Sequence, residues 1–356
     1  MNKYWTDLVK RLTPYVPGEQ RSGTDVVKLN TNENPYAPSP RVKEAINGVS
    51  GDSLRRYPDP QALALCSSLA SYHGVTTDQV FVGNGSDEIL ALAFMAFFTG
   101  SKPLQFPSIS YSFYPVYCDL LNIEQQTTPV DENFCLDLNG FNSSGGGIIF
   151  PNPNAPTSLA VSREQITALL KRVPDTLVLV DEAYADFGAE SSIELIEEYP
   201  NLVVSRTFSK GRSLAGLRLG AAFANADLIE ALRRVKDSFN SYPVDTLAQA
   251  AGIASIDDEK YYRHTIDKVV QTRDWTTAQL QDRGYRVLPS SANFLFVSPD
   301  GIKASSLFNA LREQNILLRY WAKEPLSNWL RITIGTSAEM ERLIAAIDNI
   351  TRKKDH

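Results

Sequence analysis

The stretch from Ser205 to Gly220 holds the residues with the clearest chemical potential. It reads SRTFSKGRSLAGLRLG and places Lys210 between small hydroxyl residues, with Arg218 eight positions later. A lysine removed from water loses its proton more easily, and its neutral amine is a nucleophile suited to imine formation. Thr207 and Ser209 can donate hydrogen bonds to a phosphate, which the forked cation of Arg218 can also hold. A solvated loop lysine beside an unrelated arginine is the alternative interpretation of this window alone.

Two further stretches supply groups of complementary chemistry. An apolar run, LVLV, ends at Asp181, and Tyr184 follows shortly after. Ligands of open α/β sheets bind beyond the carboxyl ends of the strands, although an aspartate at such a place is also a common helix cap. The segment FVGNGSDEIL reads as strand, turn and helix, so Gly85, Ser86 and Asp87 would present backbone N–H groups to a phosphate. A plain N-cap turn is the alternative.

A lysine, a strand-end aspartate and a phosphate cradle in one chain indicate pyridoxal phosphate, which binds a lysine amine and pairs its ring nitrogen with an acidic group. With these residues in place, the chain resembles the fold-type I pyridoxal-phosphate aminotransferases, and among them the histidinol-phosphate aminotransferase family. The resemblance runs from PYVPGE near residue 14 through LNTNENPYAPSP, RRYPDP, GNGSDE, NPNAPTS, VDEAYADF and RTFSKGRSLAGLRLG to WLRITIGT near residue 330. This ordered series covers nearly the whole chain and is more specific than any single motif.

The resemblance implies the fold. A fold-type I transferase has an α/β architecture with a mainly parallel central sheet wrapped by helices and a smaller α+β C-terminal domain. After residue 61, helical stretches alternate with short apolar strands, as this architecture requires. We expect an N-terminal arm over residues 1–30, a large cofactor-binding domain over 31–257 and a small C-terminal domain over 258–356. GLRLGAAFA and ILLRYW are predicted to be strands, and SDEILALAFMAFF and residues 258–283 to be helices.

The resemblance also assigns roles to single residues. Lys210, Asp181 and Tyr184 match the catalytic positions: the lysine carries the cofactor and moves the substrate proton, the aspartate pairs with the ring nitrogen, and the tyrosine reaches the phenolic oxygen. The positions that match cofactor contacts are Gly85, Ser86, Asp87, Tyr111, Asn154, Asp181, Tyr184, Thr207, Ser209, Lys210, Arg218 and, from the other subunit, Tyr57. The positions that match substrate contacts are Tyr15, Asn34, Tyr36, Arg319 and Arg331.

Several of these positions also have a purely structural interpretation. Tyr15 could be a surface aromatic packed on the arm, and loop asparagines such as Asn34 are common turn formers. Tyr111 lies in an aromatic-rich stretch whose composition core packing alone would explain. Arginines on strands, such as Arg319 and Arg331, usually face solvent. The local sequence does not separate these interpretations, so the assignments depend on the match to the family.

One motif departs from the family. Its members usually carry an asparagine directly before Pro-Thr-Gly, where the amide bonds the phenolic oxygen of the cofactor. This chain has Ala155 at that position and Ser158 in place of the glycine. Losing a hydrogen bond to a charged group costs about 1.5–3 kcal/mol. Asn152 or Asn154 would substitute only if the turn is shifted, whereas Tyr184 would still reach the same oxygen.

These assignments predict a transaminase that moves an amino group from histidinol phosphate to 2-oxoglutarate. An aromatic amino acid aminotransferase and a threonine-phosphate decarboxylase-like enzyme are alternatives that would share every cofactor contact. A non-catalytic module that binds the cofactor, as in some transcription regulators, is a further alternative. Against that last interpretation, the chain has no appended helix-turn-helix pattern and no basic stripe, and it keeps Lys210 and Asp181.

Composition limits the class of protein. The 356 residues are enough for one large and one smaller domain, and the net charge of -6 disfavours a nucleic-acid partner. Three cysteines without metal-ligand spacing suggest a reducing compartment, and no stretch resembles a signal peptide or a membrane span. We therefore expect a cytoplasmic protein. The resemblance, through the match at Tyr57, implies a homodimer with a shared active site. It would bind pyridoxal 5'-phosphate, a small anionic amine and a 2-oxo acid, and neither a metal, a nucleic acid nor a membrane.

Overall fold

The computed structural model describes residues 3–21, 23 and 25–352, so small parts of the expected arm and of the expected C-terminal domain lie outside the described residues. The α-helices are α1 (Asp7–Arg11), α2 (Pro40–Asn47), α3 (Gly51–Leu54), α4 (Leu63–His73), α5 (Gly85–Ala93), α6 (Tyr114–Leu121), α7 (Arg163–Arg172), α8 (Ala226–Phe239), α9 (Thr246–Asp257), α10 (Glu259–Gln281), α11 (Ala304–Glu313) and α12 (Ser337–Arg352). The strands are β1 (Val27–Lys28), β2 (Val80–Gly83), β3 (Leu104–Pro107), β4 (Gln125–Thr128), β5 (Gly147–Pro151), β6 (Val178–Asp181), β7 (Leu202–Thr207), β8 (Gly220–Ala224), β9 (Arg286–Val287), β10 (Phe294–Ser298), β11 (Ile316–Leu317), β12 (Arg319–Tyr320) and β13 (Leu330–Thr333).

The largest sheet has seven strands in the order β2-β8-β7-β6-β5-β3-β4. Neighbouring strands are parallel except at β8, which runs antiparallel to β2 and β7. As a result, the carboxyl ends of β2, β6 and β7 and the first residue of β8 lie at one edge of the sheet, where ligands of such sheets bind. The mainly parallel sheet confirms the expected fold class.

Strand residues alternate between the two faces of this sheet. Val178 and Val180 of β6 pack into the core formed with α4, α7 and α9, whereas Leu179 packs into the core formed with α5, α6 and α8. Burial on both faces explains why the sequence of β6 is an uninterrupted apolar run. Asp181 ends that run, so the strand carries a carboxylate to the buried edge of the sheet.

The C-terminal part has its own core around a four-stranded antiparallel sheet, β12-β13-β10-β9, covered by α10, α11 and α12. The start of the chain joins this core, because Val27 of β1 pairs in parallel with Ile316 of β11 and Leu29 packs beside it. The loop after β1 is therefore held against the C-terminal part. It also reaches the large sheet, since the carbonyl of Thr31 accepts a hydrogen bond from Lys210.

Three predicted elements differ from the structure in kind, and a fourth differs only in its ends. GLRLGAAFA is a strand only from Gly220 onward, because Arg218 adopts a left-handed backbone conformation, with φ of 53°, and ends the preceding turn. The helix predicted over SDEILALAFMAFF widens after Ala93 into a π-helical turn, Phe94–Phe98. ILLRYW splits at Leu318 into β11 and β12, which belong to two different sheets. The helix predicted over residues 258–283 is α10, shorter by one or two residues at each end.

None of the helices in the described ranges is long and apolar enough to cross a bilayer. Within the same ranges, no cluster of His, Cys, Asp and Glu side chains could hold a metal ion. Cys66 and Cys118 are buried free thiols, and Cys135 is an exposed one.

Candidate active site

A cavity of about 720 Å³ lies at the edge of the large sheet where β6 and β7 end. It is enclosed by that edge, by the arm and the loop after β1, and by the C-terminal sheet. The residues singled out from the sequence that line it are Tyr15, Ser86, Asp87, Tyr111, Asp181, Tyr184, Thr207, Ser209, Lys210, Arg218, Arg319 and Arg331. The fold thus brings together residues from both ends of the chain.

Two glycines allow close backbone packing at the base of the cavity. A Cβ on Gly220 would lie 2.6 Å from backbone atoms of Gly85 and Ser86, so only glycine fits where β8 begins. Gly85 has φ of 81°, and a Cβ there would lie 2.5 Å from the guanidinium of Arg218. Gly85 contributes backbone only and lies behind the cavity surface. This packing sets the free N–H groups at the start of α5 beside a cation, an arrangement that binds anions.

Polar side chains converge on the same place. Arg218 donates hydrogen bonds to Ser209 Oγ (3.3 Å) and to one carboxylate oxygen of Asp87 (3.0 Å). The Tyr111 hydroxyl donates to the other oxygen of Asp87 (3.0 Å). Thr207 Oγ1 accepts from the backbone N–H of Ser209 (3.1 Å), which fixes the turn after β7. A phosphate fits this donor set, because its oxygens could accept from the guanidinium, from the hydroxyls and from the N–H groups of α5.

Asp181 is a buried carboxylate at the end of β6, with 4% of its surface exposed. It accepts hydrogen bonds from the hydroxyls of Tyr114 and Ser205, both at 3.1 Å. Burial raises the pKa of Asp181 to about 6, although both hydrogen bonds oppose that shift. The group therefore remains largely ionised at neutral pH and presents a fixed negative charge to the cavity.

Lys210 lies three residues beyond the end of β7, at the cavity surface. Its Nζ donates to the carbonyl of Thr31 (3.0 Å) and lies 5.9 Å from the centre of the Tyr184 ring. Burial, with the positive charge of Arg331 adding to it, lowers the pKa of Lys210 to about 8. An appreciable fraction of this amine is therefore neutral near pH 7, as a nucleophile or a base requires.

Two arginines from the C-terminal sheet face the opposite side of the cavity. Arg331 donates to the carbonyl of Asn30 (2.8 Å), while its buried Nε has no partner within the described part of the chain. Arg319 donates to the carbonyl of Val16 (3.3 Å), and both guanidinium groups lie over the Trp321 ring, at 5.5 and 5.6 Å. Burial, and the neighbouring charge of Arg319, lower the pKa of Arg331. A pair of partly buried cations with an unused donor suits an anionic substrate group.

Asn34 and Tyr36, expected to contact substrate, do not line the cavity. The Asn34 amide donates to the backbone carbonyls of Lys210 (3.1 Å) and Gly211 (3.3 Å), so it supports the turn that carries the lysine. The ring of Tyr36 packs against the C-terminal core, with Lys268 Nζ 5.2 Å from its centre. Their side chains are already engaged by neighbouring protein groups.

Asn154 and Tyr57 also lie outside the cavity surface. The Asn154 amide donates to the carbonyl of Ile109 (3.0 Å) and to Thr157 Oγ1 (2.9 Å), so its NH₂ group is already engaged by neighbouring protein groups. The shifted turn that would bring it forward is not observed. Tyr57 is 80% exposed and stacks on Tyr242, with ring centres 4.5 Å apart.

Sequence reasoning missed several residues that shape the site. Ser205 and Tyr114 hold Asp181, and Trp321 and Asn32 line the cavity. A signal for Ser205 existed, because it is the only small polar residue within the apolar start of β7 and stands opposite Asp181 in the strand register. The segment LNTNEN offered three asparagines, and nothing in its pattern indicates which of them points inward.

Comparison with known proteins identifies relatives along the whole chain. The family described as Aminotransferase class I and II matches residues 24–347. The chain is 51% identical to a histidinol-phosphate aminotransferase of Chromohalobacter salexigens, over 99% of this chain and 100% of that protein. It is 49% identical to histidinol-phosphate aminotransferase 1 of Pseudomonas fluorescens, over 98% of this chain and 100% of that protein. A crystal structure of histidinol-phosphate aminotransferase from Sinorhizobium meliloti, in complex with pyridoxal-5'-phosphate, superposes with a TM-score of 0.89 at 25% identity and covers 99% of each chain.

Proposed function

The chain belongs to the class I and II aminotransferase family, and from that premise we propose that it transfers the amino group of histidinol phosphate to a 2-oxo acid, with pyridoxal 5'-phosphate as cofactor. The acceptor we propose is 2-oxoglutarate. The observation that carries the activity is the presence, in one cavity, of the Lys210 amine and the buried Asp181 carboxylate. The substrate is supported by relatives of that name that align over their full length.

The residues present fit the cofactor. Arg218, Ser209 and Thr207, with the start of α5, would hold its phosphate in the cradle that Gly220 keeps open. Asp181 would pair with its ring nitrogen. When bound, pyridoxal phosphate supplies an electron sink for negative charge that develops on the substrate carbon bearing the amine.

The side chains around this substrate carbon would carry out the remaining steps. Lys210 would carry the cofactor, and its Nζ, when released, would take the proton from the substrate carbon that bears the amine. Arg331 and Arg319 would bind the phosphate of histidinol phosphate and, in the other half-reaction, a carboxylate of the 2-oxo acid. Tyr15, whose ring centre is 4.9 Å from that of Phe113, would cover the cavity from the arm and exclude water.

The test is an absorption titration of the purified, cofactor-loaded protein with three amines: L-histidinol phosphate, L-phenylalanine and O-phospho-L-threonine. We expect histidinol phosphate to convert the cofactor band to that of the aminated cofactor at a concentration at least about tenfold lower than phenylalanine, because its phosphate, with more charge and more acceptor oxygens, engages both arginines more strongly than the single carboxylate of phenylalanine does. Conversion at lower concentration by phenylalanine would refute the substrate. Release of carbon dioxide from phosphothreonine would favour a decarboxylase.

We also propose a cytoplasmic homodimer in which Tyr57 reaches the phosphate site of the partner subunit. Its support is the exposed stack of Tyr57 and Tyr242, because paired aromatic rings at a surface are typical of interfaces. The three free cysteines agree with a reducing compartment.

A shared site predicts complementation between two inactive variants. Y57A and K210A proteins, each with strongly reduced activity, are mixed under conditions that allow subunits to exchange. Each mixed dimer should regain up to about half of the activity of a wild-type dimer, since one of its two sites contains both native residues. The control is Y242A mixed with K210A. Failure of exchanged dimers to recover activity would contradict the shared site.

A further inference from the structure

Tyr184 projects its hydroxyl into the cavity from an apolar setting. Its ring packs with Ala155, Ala292 and Phe294, and the ring centre of Phe294 is 5.0 Å away in an edge-on arrangement. Within the described part of the chain, the hydroxyl has one hydrogen-bond partner, the side-chain amide of Asn32, at 3.0 Å. The orientation of this hydroxyl therefore depends on that amide.

The amide of Asn32 is itself held in one orientation. The backbone N–H of Asn32 donates to Thr333 Oγ1 (3.0 Å), so the Thr333 hydroxyl directs its own proton to Asn32 Oδ1 (2.9 Å). With Oδ1 occupied as the acceptor, Nδ2 is the atom that faces Tyr184. The carbonyl of Asn32 accepts from the Asn293 amide (3.0 Å), and Asn32 and Thr333 are 1% and 2% exposed. Each donor therefore has one direction. The Asn32 backbone N–H donates to Thr333, the Thr333 hydroxyl donates to Asn32 Oδ1, and the Asn32 NH₂ group donates to Tyr184.

We propose that Asn32 is a positioning residue. By donating to Tyr184, it makes the Tyr184 oxygen an acceptor and directs the Tyr184 hydroxyl proton into the cavity, toward the phenolic oxygen of the bound cofactor. An amide NH₂ group can only donate, so the proton of Tyr184 must point away from Asn32. The described residues offer that proton no acceptor, and the cavity lies on its open side. The inference rests on the proposed function, since it concerns the same cofactor.

The chemical consequence is a tuned charge on the cofactor. A phenol proton aimed at a negatively charged oxygen forms a charge-assisted hydrogen bond, and the bond that the phenol accepts from Asn32 polarises it further. Ala155 offers only a methyl group on this side of Tyr184. Ala155 therefore cannot donate a hydrogen bond to the phenolic oxygen of the cofactor. In this chain the amide of Asn32 would act on that oxygen indirectly, through its hydrogen bond to Tyr184.

The backbone of Asn32 decides which variants can test this idea. Its φ is 56°, in the left-handed region, which asparagine, aspartate and glycine adopt more readily than alanine. Asn32→Gly removes the amide without backbone strain, whereas Asn32→Asp keeps the size and replaces the donor by an acceptor. Asn122→Gly is the matched control, because Asn122 has the same φ of 56° and ends α6 away from the cavity.

The measurement is the pH midpoint at which the absorption band of the lysine-bound cofactor changes. We expect N32G and N32D to raise this midpoint by about half a unit to one unit, a three- to tenfold change in proton affinity. N122G should leave it unchanged. Y184F should raise it at least as far as N32G does. Because Asn32 acts through Tyr184, the double variant N32G/Y184F should match Y184F alone.

The outcomes separate the two proposals. An unchanged midpoint in N32D or N32G, or a further shift when N32G is added to Y184F, would overturn the role of Asn32 as a positioning residue. N32D keeps the test valid if N32G does not fold, since its side chain has the same shape as the native one. Absence of any lysine-bound cofactor band in the unsubstituted protein would instead refute the proposed function.

Discussion

The two sides of the cavity are built in different ways. The cavity floor, formed by Asp181, Thr207, Ser209, Lys210 and Arg218, belongs to the ends of adjacent strands of one sheet and the turns beyond them. The cavity wall, formed by Tyr15, Arg319, Trp321 and Arg331, joins the arm to the C-terminal sheet, through bonds such as that from Arg331 to Asn30. Strand pairing fixes the floor, whereas contacts between distant segments fix the wall.

The two sides also differ in charge. The floor combines a buried carboxylate and a partly buried amine, both with pKa values shifted toward their neutral forms by desolvation. The wall presents two cations over one indole ring. The floor therefore suits the chemistry that we propose on a bound group, and the wall suits the proposed recognition of an anion. We therefore expect substitutions in the floor to lower turnover, and substitutions in the wall to weaken use of the anionic substrate while cofactor binding changes little.

The largest effect is expected on the floor. Replacing Lys210 by alanine should lower turnover by about 10⁴-fold or more, because the group that we propose to carry the cofactor and move the proton is lost. The measurement is steady-state transamination of histidinol phosphate, with K171A, an exposed lysine of α7, as the matched control. Turnover by K210A within a hundredfold of wild type would contradict the assigned role of the floor.

An intermediate effect is expected on the wall. Replacing Arg331 by alanine should lower kcat/KM for histidinol phosphate by about 100-fold, since a charge-assisted contact is lost, while the cofactor dissociation constant changes less than about threefold. R286A is the control, because Arg286 lies in the same sheet and contacts Trp329 instead of the cavity. A comparable loss of cofactor affinity in R331A would show that floor and wall are not separable.

The smallest effect concerns stability. The pKa of Asp181 is about 6 in the folded chain, against an ordinary value of 3.8. Above pH 6 the folded state must therefore hold a buried charge, and stability falls as pH rises from about 4 to 6. D181N should make the apoprotein about 1–2 kcal/mol more stable at pH 7.5, a gain that disappears near pH 4. Urea unfolding at both pH values measures the change in the free energy of unfolding. Asp282→Asn, at an exposed aspartate, is the control. An equal gain in stability at both pH values would contradict burial as the cause.

The floor was largely predictable from sequence, for a physical reason. Asp181 ends an apolar strand and Lys210 follows another by three positions, so local patterns locate both at one edge of the sheet. The error at Arg218 was of the same local kind: its apolar neighbours read as strand, but its side chain is aimed by a left-handed backbone conformation that no periodicity indicates.

The wall was less predictable, because its residues come from segments that meet only in the folded chain. LNTNEN has no period that distinguishes Asn32, which lines the cavity, from Asn34, which faces the turn of Lys210. Their directions follow from the pairing of β1 with β11 and from the bond between Asn32 and Thr333, both of which join opposite ends of the chain. Trp321 directly follows β12, in a segment that changes sheets at Leu318, which a single predicted strand could not represent.

The pairing of β1 with β11 has a consequence for biosynthesis. Val27 leaves the ribosome early, but its partner Ile316 is translated only near the end of the chain, tens of seconds later at ordinary elongation rates of roughly 5–20 residues per second. The strands of the large sheet have all been translated by then. A nascent chain could thus complete its sheet while the loop bearing Thr31 and Asn32 is still unattached, and the enclosed cavity would be the last part of the molecule to form.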